Sequence, residues 1–169
     1  MKLDVPYHSQ FLDVEDKNWM PRACAIVCLK MVLECHKKDV SIEKLIEEGI
    51  KIKEYTSVGW RHDTLVQLAE MHGLSARREE GLKESGGIEK VVDAIKKGEP
   101  VIISAVKFIL GQTKFHMVVV TGIEEENGKV IGFYYHDPES LDKEKARHLF
   151  VGREVLEKEW RGMAVFVSK

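Results

Sequence analysis

The chain has 169 residues, 44% hydrophobic and 32% charged, with 26 Lys and Arg against 28 Asp and Glu for a net charge of −2. That balance predicts one globular domain, 1–169, able to bury a core without staples, and it offers no basic surface for nucleic acid or a membrane. No apolar run approaches the roughly 18 to 20 residues of a membrane span, and the opening Met-Lys-Leu-Asp-Val-Pro-Tyr-His has no signal-peptide apolar stretch, so a cytoplasmic protein is expected unless a leader was removed.

From Cys24 to Cys35 nearly every position is apolar, and Lys30 and Glu34, continued by Lys37 and Lys38, form a polar stripe. A helix apolar on nearly all sides is a buried central helix. Pro21 sits near its start, where a missing N–H does no harm. Ser41 predicts the N-cap of a short helix through Glu48, stopped by Gly49. Asp63 predicts the cap of another, Thr64 to His72, ending at Gly73. Ile88, Val91, Val92 and Ile95 share one helical face, and Gly98-Glu-Pro100 ends that helix.

The period then changes. Val101 to Val106 reads as a buried strand. Phe115 to Ile123 and Lys129 to Asp137 read as two more, joined through Asn127-Gly128, a strong hairpin signal. Met163 to Val167 closes the chain as a last strand. Helices followed by strands predict an α+β fold, two lobes around one cleft.

All three cysteines lie between Cys24 and Cys35. An odd count in a reducing compartment argues against a disulfide framework. A thiol becomes a useful nucleophile when its pKa falls, as it does at a helix N-terminus beside an imidazolium. Cys24 lies in the first turn of the central helix, where unpaired N–H groups point at it, and small Ala23 and Ala25 leave room for a substrate. Cys28 and Cys35 lie deeper, among Ile26, Leu29, Met31, Val32 and Leu33, and read as core. Cys24 taken alone reads equally well as a buried thiol. A zinc set of Cys24, Cys28, Cys35 and His36 fits poorly, because it spreads the thiols along one helix rather than on turn knuckles.

Of seven histidines, His36, His62, His72 and His148 read as surface residues, and nothing orients His8. His116 opens a strand whose partner is readable. A two-residue Asn127-Gly128 loop pairs Glu126 with Lys129 and, continued without a bulge, sets Val118 opposite Asp137 and His116 opposite Glu139. Asp137 is then the diagonal neighbour of His116, within reach of its ring. A carboxylate there can hold imidazole Nδ1–H and leave Nε2 for a thiol. His136 falls on the opposite face. An acyl-transfer site also needs oxyanion donors: the N–H of Cys24 is one by position, and the amide of Gln10 is a natural second. Gln67 and Gln112 are competing amides.

Val5-Pro-Tyr-His-Ser-Gln10, Cys24-Ala-Ile-Val-Cys-Leu-Lys-Met-Val-Leu33, His116-Met-Val-Val-Val-Thr-Gly122 and Asp137-Pro138 together resemble the bacteriocin-processing, double-glycine type of cysteine peptidase, in its soluble branch. Lys96-Lys-Gly-Glu-Pro-Val-Ile102 and Trp160 are also similar. The resemblance implies a papain-like fold, with a helical N-terminal half whose Cys-bearing helix packs on a C-terminal antiparallel sheet. It implies Cys24 as nucleophile, His116 as general base and acid, Asp137 as orienter and Gln10 as oxyanion-hole side chain, acting on a peptide or protein substrate without a cofactor or metal. Where the family usually has Gly and often Pro after the Cys, Ala25 and Ile26 stand here, and Phe115 replaces the Gly common before the His. These departures bear on access and specificity. With no transporter segment attached, no part in bacteriocin export is expected. A binding module that keeps the fold, or an amidase or acyltransferase on it, are the alternatives.

Overall fold

A computed structural model describes residues 1–53, 55–56, 59–106 and 113–169. Ser9 caps the one-turn helix α1, Gln10–Asp13, its hydroxyl accepting from the N–H groups of Phe11 and Leu12. A 3-10 turn over Met20–Arg22, with Pro21 inside it, leads into α2, Cys24–Cys35, buried without interruption from Ala25 to Leu33. Even Lys30 of its polar stripe is buried, its ammonium 3.2 Å from both Glu34 and Asp39.

Ser41 caps α3, Ile42–Ile52, but Gly49 does not stop it; the helix runs to Lys53, which takes the left-handed conformation at φ 61°. Gly49 is there for another reason: a Cβ on it would lie 2.5 Å from the Trp60 ring. Trp60 belongs to a small hairpin of β1, Tyr55–Thr56, and β2, Gly59–Trp60. The helix α4, His62–Met71, starts from Arg61 with no side-chain cap, so Asp63 is inside it rather than before it. Gly73 follows at φ 81°.

An edge strand, β3 (Ser75–Glu79), and then α5 (Ile88–Lys96) precede β4, Val101–Val106. The hairpin strands are β5, Phe115–Glu126, and β6, Lys129–His136, followed by β7, Leu149–Gly152. The chain closes with α6, Arg153–Glu159, and β8, Trp160–Ser168.

Six strands form one antiparallel sheet in the order β3-β8-β4-β5-β6-β7. Alternation splits its two faces. Ile102, Met117, Val119, Met163, Val165 and Val167 pack with α2, while Val101, Ile103, Val118, Val120, Ala164 and Phe166 pack with α5. Period two in the strands thus places α2 on one side and α5 on the other. The architecture is α+β.

Asn127 (φ 51°) and Gly128 (φ 76°) both take the positive φ of a type I′ turn. The register starts as expected, Glu126 on Lys129, then meets two bulges, at Ile131 of β6 and Thr121 of β5. They insert on opposite strands and cancel, so Val119 pairs with His136 at the offset of the turn. At the second bulge Gly122 takes the chain start against β5: Lys2 bridges Gly122, and a Cβ there would meet the Met1 carbonyl at 2.5 Å. No helix among the described residues is long and apolar enough to cross a membrane.

Helix propensity alone favours Ala over Gly by about 1 kcal/mol. At Gly49 the ring in the way is itself stacked on Trp19, centroids 4.8 Å apart, and cannot yield freely. We expect Gly49→Ala to lose about 1–3 kcal/mol, read as a lower urea midpoint at unchanged slope; a gain would show that Trp60 moves without cost.

Candidate active site

Cys24 is the first residue of α2 and half-buried. The backbone N–H groups of Met117 and Ala25 lie where they favour its thiolate. Cys24 packs against the core cluster that includes Met117, the residue that follows His116. Burial pushes the Cys24 thiol up, the two N–H donors pull it down, and the carboxylates of Glu139 and Asp137 push it up again, with a raised value as the result. Burial holds Cys28, one turn deeper and fully buried, well above its ordinary range.

His116 is buried near the start of β5, opposite Ala105 of β4. Asp137 follows β6 and lies with Oδ1 3.5 Å from His116 Nε2; Glu139 lies with Oε1 3.7 Å from Nδ1. These are ion-pair distances, longer than hydrogen bonds. The ring nitrogens are therefore used in the opposite sense to the sequence expectation: Nε2, not Nδ1, faces Asp137. Sequence position fixes which residues are neighbours, but the turn of a ring about its χ angles depends on packing. Asp137 is held from its own loop, Oδ1 accepting the N–H of Glu139 at 2.9 Å.

Gln10 is buried, with Nε2 donating to the Met20 carbonyl at 2.9 Å and its backbone N–H donating to the Pro138 carbonyl at 2.8 Å. The Met20 carbonyl can only accept, so it decides which end of the amide faces it. Oε1 is buried with no hydrogen-bond partner among the described residues. Gln10 is thus tied at one end to the turn that delivers Cys24 and at the other to the loop that delivers Asp137. Of the competing amides, Gln67 is exposed on α4, and Gln112 lies outside the described residues.

A cavity of about 300 Å³ opens beside His116 and Asp137, floored by Val106, Val118, Tyr135 and Leu149 and bordered by Glu139. It lies on the α5 side of the sheet, and Cys24 does not line it. The charged run after Pro138 supplies part of its wall through Ser140 and Lys145. On the Tyr55 to Trp60 segment Trp60 is buried against Trp19; Ser57 and Val58 lie outside the described residues.

None of the four histidines read as surface residues is exposed: His62 and His72 are half-buried, with His72 Nε2 2.7 Å from Glu48. His36 is buried and donates to the Val167 carbonyl at 3.2 Å. His148 is half-buried, and its backbone N–H donates to His136 Nδ1 at 3.0 Å. His136, fully buried, donates through Nε2 to the Val5 carbonyl at 2.9 Å, so both its nitrogens are used and its neutral tautomer is set. His136 is a structural group one residue from Asp137. Sequence reasoning also missed Tyr7, whose hydroxyl donates to the Asp137 carbonyl at 2.6 Å.

A family model, the Peptidase_C39 like family, matches residues 2–165. The chain belongs to that family. A Bacillus anthracis protein described as a C39-like peptidase has a similar structure, with TM-score 0.70 and 20% identity over 100% of this chain and 98% of that one. A double glycine motif protease from an AMS/PCAT transporter, solved in complex with the leader peptide, gives 0.63 and 20%, covering 99% and 94%. The peptidase domain of Streptococcus ComA, a bi-functional ABC transporter involved in quorum sensing, gives 0.61 and 21%, covering 87% and 91%. At these identities the likeness shows the fold, which is papain-like. No curated protein sequence matches the chain. Family and fold together make this C39-family chain a cysteine peptidase by kind.

Burial pushes the His136 pKa down to about 4. The folded value lies below the unfolded one of about 6.5, so the unfolded chain takes up the proton first and stability falls as pH drops from about 6.5 toward 4. Imidazole NMR signals of His136 are expected to stay flat above about pH 5 while the urea midpoint declines across that window. A His136 midpoint near 6.5 would contradict the buried neutral ring.

Proposed function

We propose that this C39-family chain hydrolyses a peptide bond with Cys24 as nucleophile, His116 as general base and acid, Asp137 as the orienting carboxylate and Gln10 as an oxyanion donor. The observation that carries this reading is the approach of His116 Nε2 to Asp137 Oδ1 at 3.5 Å, next to Met117, against whose core cluster Cys24 packs.

The chemistry follows from the positions. His116 takes the Cys24 proton, and the thiolate adds to the substrate carbonyl carbon, forming the C–S bond. The carbonyl oxygen becomes an oxyanion, stabilised by the Cys24 N–H and by the Gln10 N–H that Met20 does not use. The imidazolium returns its proton to the departing amine as the C–N bond breaks, leaving a thioester. Water, deprotonated by the same imidazole, adds to the thioester carbonyl; the sulfur leaves and the acid product is released. Asp137 supports the positive charge that the ring carries in both halves.

The leader-peptide complex of the AMS/PCAT protease supports a peptide as the ligand class. A peptide library incubated with the protein and read by mass spectrometry is expected to show cleavage that Cys24→Ala abolishes with folding retained. Cys28→Ala should remain active and lose about 1–3 kcal/mol of stability. Gln10→Ala should lower kcat more than it raises KM, because its bond matters most at the oxyanion. Cleavage undiminished in folded Cys24→Ala would contradict the mechanism, and an unchanged kcat would remove Gln10 from it.

A further inference from the structure

His116 stands between two carboxylates, one on each ring nitrogen: Asp137 at Nε2 and Glu139 at Nδ1. A thiol–imidazole–carboxylate arrangement needs one carboxylate, and the second ring nitrogen has to face the sulfur. With Nε2 turned to Asp137, that nitrogen is Nδ1, the one Glu139 faces at 3.7 Å. The Glu139 charge also acts on the sulfur, opposing the ionisation of Cys24 as that of Asp137 does. It is half-buried and lies two residues beyond Asp137, and its backbone N–H fixes the Asp137 carboxylate.

We propose that Glu139 is a second functional carboxylate of the site, which holds the Nδ1 side of His116 in the ligand-free enzyme in competition with Cys24 and swings aside when the thiol engages that nitrogen. The proposal rests on reading Cys24 and His116 as the reacting pair. Around His116 and its two carboxylates, Asp137 and Glu139, the described charged and titratable groups are Cys24 from α2, Tyr7 before α1, Tyr135 on β6 and Lys145 before β7. Tyr135 is held neutral, its pKa pushed up to about 12 by burial and by Asp137. Lys145 has its own acidic neighbour, Asp142, at 3.8 Å.

The sign of the effect is independent of which group each titration step reports. A nearby negative charge raises the pKa of a thiol and of an imidazolium alike, so its removal lowers both macroscopic values of the pair. Glu139→Gln keeps the shape and removes the charge. The rate of Cys24 alkylation by iodoacetamide, followed against pH, should therefore shift as a whole toward acid by about one unit. Labelling below the wild-type midpoint should be correspondingly faster. Glu139→Asp draws the carboxylate back by one methylene and should give a smaller shift in the same direction. Glu126→Gln makes the same change of net charge at the far end of β5, roughly 30 Å away, and should leave the profile in place.

A Glu139→Gln profile that superimposes on the wild type, with the urea midpoint retained, would overturn the proposal; so would an equal shift in Glu126→Gln, which would reduce the effect to net charge. If Glu139→Gln does not fold, an unshifted Glu139→Asp profile overturns it instead. Should wild-type Cys24 itself label as an ordinary thiol, with a single rise near pH 8.5, the reacting pair fails and this proposal with it. An activated wild-type thiol indifferent to Glu139 removes this proposal alone.

Discussion

The end of β6 is the joint on which the site depends. His136 spends both ring nitrogens there, one on the Val5 carbonyl and one on the His148 N–H. The next residues are bonded from every side: the Asp137 carbonyl by Tyr7, the Asp137 N–H by the Ala146 carbonyl, the Pro138 carbonyl by the Gln10 N–H. Ser9 Oγ donates to the Ser140 carbonyl as well. The chain between Val5 and Gln10 is thereby zipped to the chain between His136 and Ser140, although the two are far apart in sequence. A buried backbone polar group left unpaired costs about 1–3 kcal/mol, so the two segments cannot separate one bond at a time. The residue read as the oxyanion donor and the residue read as the orienter are held by the same zip.

The thiol is set by opposing effects. The start of a helix and two N–H donors favour the thiolate, while burial and two carboxylates favour the thiol. Before the ring engages the sulfur, burial and the carboxylates leave the thiol's pKa raised. In the proposed mechanism the proton moves to His116 once the ring meets the sulfur, and Asp137 favours that transfer.

Much of the fold was legible because burial is written in the sequence as period. The unbroken apolar run of α2, the Ile88/Val91/Val92/Ile95 face of α5 and the near-continuous apolar runs of β4, β5 and β8 all carry a strong pattern. The elements that escaped notice carry none. Strand β3 is Ser-Ala-Arg-Arg-Glu, an edge strand whose Arg77 covers Phe166 instead of burying an apolar side chain. Strand β7 has four residues, and α6 opens without a side-chain cap. Gly49 was misread as a helix stop because the ring that requires it is eleven residues away.

The neighbourhood of His116 was legible for a narrower reason. The Asn127-Gly128 turn set the register, and the bulges at Thr121 and Ile131, invisible in sequence, cancelled before the strand ends. Continuation of that register placed both Asp137 and Glu139 near His116. The ring's rotation was not legible, and neither was the part His136 plays, since both depend on contacts with residues distant in the chain.

The measurement that bears most directly on the catalytic pair is the rate of iodoacetamide labelling against pH, with the modified cysteine mapped by mass spectrometry, in wild type and His116→Ala. A thiol–imidazole pair predicts labelling confined to Cys24, persisting below the ordinary thiol midpoint of about 8.5 and slowed by the substitution. Labelling that follows an ordinary thiol profile and is indifferent to His116→Ala would contradict it.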